Sequence, residues 1–267
     1  SSEGLPPKWF TKSPETTFEQ DLPAMLAVIR KAADTALDAP ADSFFDLWRN
    51  LHHEQALWAS DEGHPPLLAN LGVSLVERAL LDALCRHLGC PAHLVIRENL
   101  LGLRLGDIRP ELGDFPPEVF LPEQPSLSVR ARHTIGLGDP LTPADVIEET
   151  KANDNLPLDL EACSRTYGLT HFKIKVCGDL GRDKPRLRTI AELLGQAVFF
   201  TLDGNEQYDS IAAFRNHWES WREDPVVRDF LDAGLLLVEQ PAHRNETFDN
   251  TVADDFEAWP DRPSFII

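Results

Sequence analysis

The hydrophobic pattern divides the chain into two parts. In the first part, apolar side chains recur every three or four positions, which predicts helices over residues 22–37, 44–58 and 74–88. Ser74 and Glu77 fit a capping box at the start of the third helix, and Gly89 followed by Pro91 fits its end. The apolar stripe predicted for this helix consists of Val76, Ala79, Leu80, Ala83 and Leu84.

In the second part, short apolar runs alternate with helical stretches. The runs predict strands over residues 127–137, 171–176, 199–203, 235–239 and 264–267. The stretches between them predict helices over residues 143–150, 158–167, 183–194, 210–221 and 225–232. We expect Pro185 in the first turn of its helix. Strands that alternate with helices form a parallel sheet through right-handed crossovers.

The spacing of the strands favours a barrel. Their ends recur about every 30 residues, as in a (β/α)8 barrel that builds eight units from about 250 residues. A doubly wound sheet has similar spacing, but it tends to carry a glycine-rich phosphate-binding loop after its first strand. The GLGDP run at 136–140 does not fit the GxGxxG pattern of that loop. We predict an α/β chain. About half the units of a (β/α)8-type barrel lie over residues 126–267, after the mainly helical part of an α+β domain over residues 1–125. An extended lead-in over 1–20 and a proline- and glycine-rich passage over 105–126 complete the prediction.

Polar side chains interrupt three of the predicted strands on one face. Side chains alternate along a strand, so Lys173 and Lys175 point away from the apolar side chains beside them. The same alternation places Asp203 and Asn205 on one face of the next strand, and Glu239 on one face of the strand after it. In a barrel the active site lies at the carboxyl ends of the strands. These five side chains are therefore the candidate site.

Composition and charge exclude several other classes of function. The net charge of −19, from 25 basic and 44 acidic side chains, opposes binding to nucleic acid or to an anionic membrane surface. No apolar run is long enough to predict a membrane span. The four cysteines form no CxxC pair, which favours reduced thiols and a cytoplasmic protein.

The candidate site has the chemistry of a proton transfer beside a hard cation. Asp203 and Glu239, with the amide of Asn205, offer oxygen ligands of the kind that Mg²⁺ prefers. Pairing of these carboxylates with the two lysines is the alternative. Lys173 and Lys175 share a face, and like charge together with burial lowers the pKa of a lysine, which would leave a neutral general base. A lysine base beside Mg²⁺ suits removal of a proton α to a carboxylate.

Three short motifs on successive strands resemble those of one enzyme family. The resemblance is to the mandelate racemase and muconate lactonizing enzyme branch of the enolase superfamily, and the motifs are KIK at 173–175, DGN at 203–205 and EQP at 239–241. The run SLVERALLDAL at 74–84 is similar to the helical end of that branch's capping domain. The likeness extends from about Leu67 to the end of the sequence.

The resemblance implies a role for each residue of the candidate site. Lys175 would be the base, with Lys173 orienting the substrate carboxylate or tuning its neighbour. Asp203 and Glu239 would be the first and second ligands of Mg²⁺, with Asn205 supporting them. The implied enzyme is an isomerase or lyase that acts on a small carboxylate through a metal-stabilised enolate, as a racemase or epimerase, a dehydratase or a cycloisomerase. We expect it to be a homo-oligomer at full length.

The sequence also departs from the family pattern. The third metal carboxylate is expected beyond Ile267, and the second acid or base would lie on later strands. The opening sheet of the capping domain is missing as well. We therefore expect a fragment that is inactive alone and that dimerises or aggregates. Two alternatives stay open: an aldolase whose lysine forms a Schiff base, and a non-catalytic or truncated relative.

Overall fold

The computed structural model describes residues 8–11, 16–39, 41–113, 115–147, 156–244 and 246–266. The chain divides into two compact units, Ser1–Leu127 and Ser128–Ile267. This division lies close to the boundary predicted between residues 125 and 126. That the first unit is a capping domain stays a prediction.

The first unit is helical. Its helices are α1 (Lys8–Thr11), α2 (Phe18–Asp38), α3 (Phe44–Asp61), α4 (Pro66–Leu88) and α5 (Ala92–Arg97). Short 3-10 turns follow at Leu105–Asp107, Pro110–Leu112 and Pro117–Val119. Thr17 and Gln20 form a capping box at the start of α2, and the Ser43 side chain caps α3. The lead-in predicted to be extended contains α1 and the start of α2 instead.

The predicted start of the third long helix is wrong. Helix α4 begins at Pro66, a residue that suits a first turn because it has no N–H to leave unpaired. Ser74 lies inside the helix, where its hydroxyl donates to the Leu71 carbonyl at 2.9 Å instead of capping. The predicted stripe is not the buried face either. Because α4 contacts α2 and α3, its buried residues lie in its first half and are Leu68, Ala69, Leu71, Gly72 and Val73.

The second unit is built on a five-stranded parallel sheet. Its strands are β1 (His133–Ile135), β2 (His171–Lys175), β3 (Phe199–Asp203), β4 (Leu235–Glu239) and β5 (Phe265–Ile266). They lie side by side in sequence order. The helices are α6 (Leu160–Tyr167), α7 (Leu180–Leu194), α8 (Ile211–Arg222), α9 (Pro225–Gly234) and α10 (Asn250–Glu257). Consecutive parallel strands with helical crossovers confirm the predicted α/β class and the partial barrel.

Three details of the second unit differ from the predictions. The strand predicted over 127–137 is only β1, and Leu127 and Val129 before it are exposed. The helix predicted over 143–150 is a 3-10 turn at Pro143–Asp145, and its last residues lie outside the described part. Helix α7 begins at Leu180 behind an Asp179 cap, so Pro185 lies within it and not in its first turn.

The strands turn one face towards the helices. The side chains of this face are fully buried and form one core with the helices, and they are Phe172, Ile174, Phe200, Leu202 and Val238. The ring of Phe200 stacks on that of Phe230 in α9, with centroids 4.2 Å apart. The lysines and carboxylates predicted for the site lie on the opposite face.

No helix in the described part of the chain is both long and apolar enough to cross a bilayer.

Because Tyr208 is buried, we expect the free energy of unfolding to fall at alkaline pH. Burial raises the pKa of Tyr208 far above its ordinary value. An unfolded tyrosine ionises near about pH 10, whereas Tyr208 stays neutral in the folded chain. The stability that this difference contributes is complete below about pH 10 and is lost as the pH rises beyond it.

The chain has two tyrosines, so Tyr167→Phe leaves Tyr208 as the single phenol to follow. In an alkaline titration of this variant, we expect phenolate absorbance to rise together with the loss of the circular dichroism signal. Phenolate absorbance in a chain that keeps its native signal would contradict the buried position of the ring.

Candidate active site

The parallel register brings the predicted residues into one row. Lys175 pairs with Asp203, and Asp203 pairs with Glu239, across β2, β3 and β4 at their carboxyl ends. Lys173 lies one layer deeper, beside Thr201. Alternation along each strand puts these side chains on one face of the sheet. The register then brings the ends of the three strands side by side.

Lys173 lies between the two carboxylates. Its Nζ is 2.7 Å from Asp203 Oδ2 and 2.9 Å from Glu239 Oε1. Burial acts to lower the pKa of Lys173, but the hydrogen bonds and negative charges of Asp203 and Glu239 outweigh it, so the pKa is raised. The predicted lowering is therefore wrong for Lys173. Its two carboxylate partners come from other strands and oppose the effect of the neighbouring lysine.

Asn205 connects the second lysine to the first carboxylate. Lys175 Nζ donates to Asn205 Oδ1 at 2.6 Å and is 3.6 Å from Asp203 Oδ2. The backbone N–H of Asn205 donates to Asp203 Oδ1 at 2.9 Å. The predicted supporting residue thus holds Asp203 through its backbone, while its amide oxygen fixes the position of Lys175.

Sequence reasoning missed a third cationic side chain. Arg132 precedes β1, and its Nη1 donates to Thr201 Oγ1 at 3.3 Å and lies 3.9 Å from Glu239 Oε2. The alternation that placed Asp203 on this face also places Thr201 there. Arg132 lies in the strand predicted over 127–137, on the face opposite Ile135, so the same alternation is the signal that could have indicated it. With Lys173 and Lys175 it forms a group of three basic side chains beside two carboxylates.

Glycine is required where the loops after β3 and β4 meet. A Cβ on Gly204 would lie 2.6 Å from Pro241 Cα and 3.2 Å from the Gln240 carbonyl oxygen. Both neighbours are backbone atoms, which cannot rotate away. The loops therefore approach as closely as two backbones can, directly after Asp203 and Glu239.

The donor set fits part of a divalent cation site. Asp203 Oδ2 and Glu239 Oε1 both contact one nitrogen, so a single cation at that position would touch both carboxylates. Two carboxylates and an adjacent amide are the hard oxygen ligands that Mg²⁺ takes. Across the described residues, no group of three or more His, Cys, Asp and Glu side chains is arranged to hold a metal. The alternative of lysine pairing is the arrangement that the structure shows.

Comparison with solved structures finds a mandelate racemase/muconate lactonizing protein from Herpetosiphon aurantiacus. The TM-score is 0.46 and the sequence identity is 20%, over 88% of this chain and 50% of that chain. The present chain thus spans half the length of that protein. No protein-family model matches the chain, and neither does any curated protein.

Proposed function

We propose that the chain belongs to a divalent-cation-dependent enzyme of the mandelate racemase and muconate lactonizing enzyme branch of the enolase superfamily. The enzyme would remove a proton α to a carboxylate and would act as an isomerase or lyase. One observation carries this proposal: Lys173, Lys175, Asp203 and Glu239 meet at the carboxyl ends of three consecutive parallel strands. Active sites of barrel enzymes lie at this edge.

The charges of the site support a small carboxylate as substrate. Arg132, Lys173 and Lys175 surround the two acidic side chains, and each is partly accessible. With Asp203 and Glu239 holding a divalent cation, Lys173 would be free to donate to an incoming carboxylate. Lys173 would therefore orient the substrate, in line with the role that the motif implies.

Lys175 is the candidate base. Its side chain is 29% exposed, against 16% for Lys173, so it is the more accessible of the two amines. Asn205 holds its Nζ at a fixed place beside Asp203. In the proposed reaction the uncharged amine of Lys175 takes the proton from the α carbon and becomes an ammonium ion, and the electron pair of the broken bond moves into the substrate's carboxylate.

Asp203 and Glu239 would hold the cation, and the backbone of Asn205 would keep Asp203 in place. When bound, the cation would supply positive charge to the carboxylate oxygens on which negative charge develops. Lys173 Nζ would have to leave its place between the two carboxylates for the cation to bind there.

The Schiff-base alternative is less well supported by the contacts. A nucleophilic lysine must lose its proton, and the raised pKa of Lys173 keeps that residue an ammonium ion, so of the two lysines Lys175 would have to be the nucleophile. Two carboxylates directed at one amine have no clear part in that chemistry. Borohydride reduction in the presence of substrate would distinguish the two, since only the aldolase yields a stable adduct on Lys173 or Lys175.

Removal of divalent cations tests the proposal. We expect the complete polypeptide that contains this chain to exchange the α proton of a small carboxylate with deuterated solvent. Chelation with EDTA should abolish this exchange, and added Mg²⁺ should restore it, because Asp203 and Glu239 alone add only negative charge to the site. Exchange that survives exhaustive chelation would contradict the assigned role of the two carboxylates.

A further inference from the structure

The loops after β3 and β4 continue side by side beyond the strand ends. The N–H of Gly204 donates to the Glu239 carbonyl at 2.9 Å, and the N–H of Glu206 donates to the Gln240 carbonyl at 2.8 Å. A parallel bridge between Tyr208 and Ala242 follows. The two loops therefore extend the sheet past the residues of the candidate site.

An ion pair joins the same two loops by their side chains. Arg244 donates to Glu206 through Nε at 2.8 Å, through its backbone N–H at 3.1 Å and through Nη2 to the second carboxylate oxygen. The Glu206 side chain is only 7% exposed. A two-pronged contact between a guanidinium and a carboxylate fixes direction as well as distance. Water screens this pair little, because its acidic partner is buried.

The backbone that this pair holds is unfavourable by itself. Asn205 and Glu206 both have left-handed backbone angles, with φ of 50° and 64°. Two consecutive residues other than glycine adopt this conformation only where the surroundings enforce it. Asn205 is also the residue that donates to Asp203 and accepts from Lys175. The contact between Arg244 and Glu206 therefore lies one residue away from a residue on which the site depends.

We propose that Arg244 is a positioning residue for the candidate site. Through Glu206 it fixes the loop after β3 to the loop after β4, and so holds Asn205 against Asp203 and Lys175. Arg244 touches neither a reacting atom nor the cation position. The link to catalysis rests on the proposed function, whereas the hold on Asn205 does not.

The pair formed by Arg222 and Asp232 offers a matched control. It is also two-pronged, through Nη1 and Nη2, and Arg222 is 29% exposed against 35% for Arg244, while Asp232 is 54% exposed against 7% for Glu206. It joins the end of α8 to α9, away from the loops after β3 and β4. Arg222→Met and Arg244→Met therefore each remove an arginine that makes a two-pronged ion pair, from different places in the same unit.

The first measurement is amide hydrogen exchange, residue by residue, in the metal-free form of the complete polypeptide that contains this chain. Arg244→Met should speed exchange at Asn205 and Glu206 by on the order of tenfold or more, and Arg244→Lys should speed it less because it keeps the charge. Arg222→Met should leave both amides unchanged. Wild-type exchange at Asn205 in Arg244→Met, or an equal increase in Arg222→Met, would overturn the proposal.

The second measurement is Mn²⁺ binding, followed by the electron paramagnetic resonance of the free ion. Loss of a residue that orients a ligand typically costs about 10- to 100-fold in metal affinity, so Arg244→Met should bind at least about tenfold more weakly. Arg222→Met should bind as the wild type does. If Asp203→Asn binds Mn²⁺ as well as the wild type, the proposed function fails. The exchange of Asn205 then decides the role of Arg244 independently.

Discussion

The Gly204→Ala variant is expected to unfold roughly 10 °C below the wild type, which corresponds to a loss of about 3 kcal/mol. The added methyl group would lie 2.6 Å from Pro241 Cα, a distance that forces one backbone to move. Movement here breaks the hydrogen bond from the Gly204 N–H to the Glu239 carbonyl. The expected loss is large because overpacking and a broken backbone contact coincide.

Gly138→Ala is the matched control for this variant. Nothing lies within 4 Å of a Cβ at Gly138, so the substitution should change the unfolding midpoint little. Thermal unfolding followed by circular dichroism measures both variants. Equal midpoints for Gly204→Ala and the wild type would show that the two loops do not approach as closely as described. A large fall in the unfolding midpoint of Gly138→Ala would show that the effect of the added methyl group is not specific to the close approach at Gly204.

The strands that carry the site were predictable from sequence. The strands predicted over 199–203 and 235–239 match β3 and β4 residue for residue. Each is a short apolar run that ends in a carboxylate and is followed by glycine or by glutamine and proline. Alternation then placed Lys173, Lys175, Asp203 and Glu239 on one face, where the structure brings them together.

Elements without such boundaries were predicted less well. At the start of α4, Ser74 with Glu77 gave a local capping signal, but tertiary contacts with α2 and α3 favour a helix that begins at Pro66. Before β1, an alternating run has no partner strand and stays exposed. Local patterns therefore fail where packing between distant segments decides the outcome.

Interactions between distant segments were the features that sequence reasoning missed. The raised pKa of Lys173 depends on carboxylates of two other strands. Arg132 meets Thr201 from β3, and Glu206 meets Arg244 from the next loop. The two residues of each pair are far apart in the sequence, at separations that the periodicity of a single helix or strand does not indicate. Only the register of the sheet and the close approach of the two loops bring them together.

Lys175→Ala should lower α-proton exchange more than any other single change at the site. A general base contributes about 10²- to 10⁴-fold to rate, so we expect a loss of about three orders of magnitude. Lys184→Ala is the control, since Lys184 lies in α7 and pairs with Glu223 away from the strand ends. Mn²⁺ binding should survive in Lys175→Ala, because Asp203 and Glu239 remain.

The account is tested most directly by deuterium incorporation at the α carbon of a small carboxylate substrate, with Mg²⁺ present. The measurement compares the complete polypeptide with its Lys175→Ala and Lys184→Ala variants. We predict exchange in the wild type and in Lys184→Ala, and a loss of about three orders of magnitude in Lys175→Ala. Exchange at the wild-type rate in Lys175→Ala would contradict the assignment of Lys175 as the base.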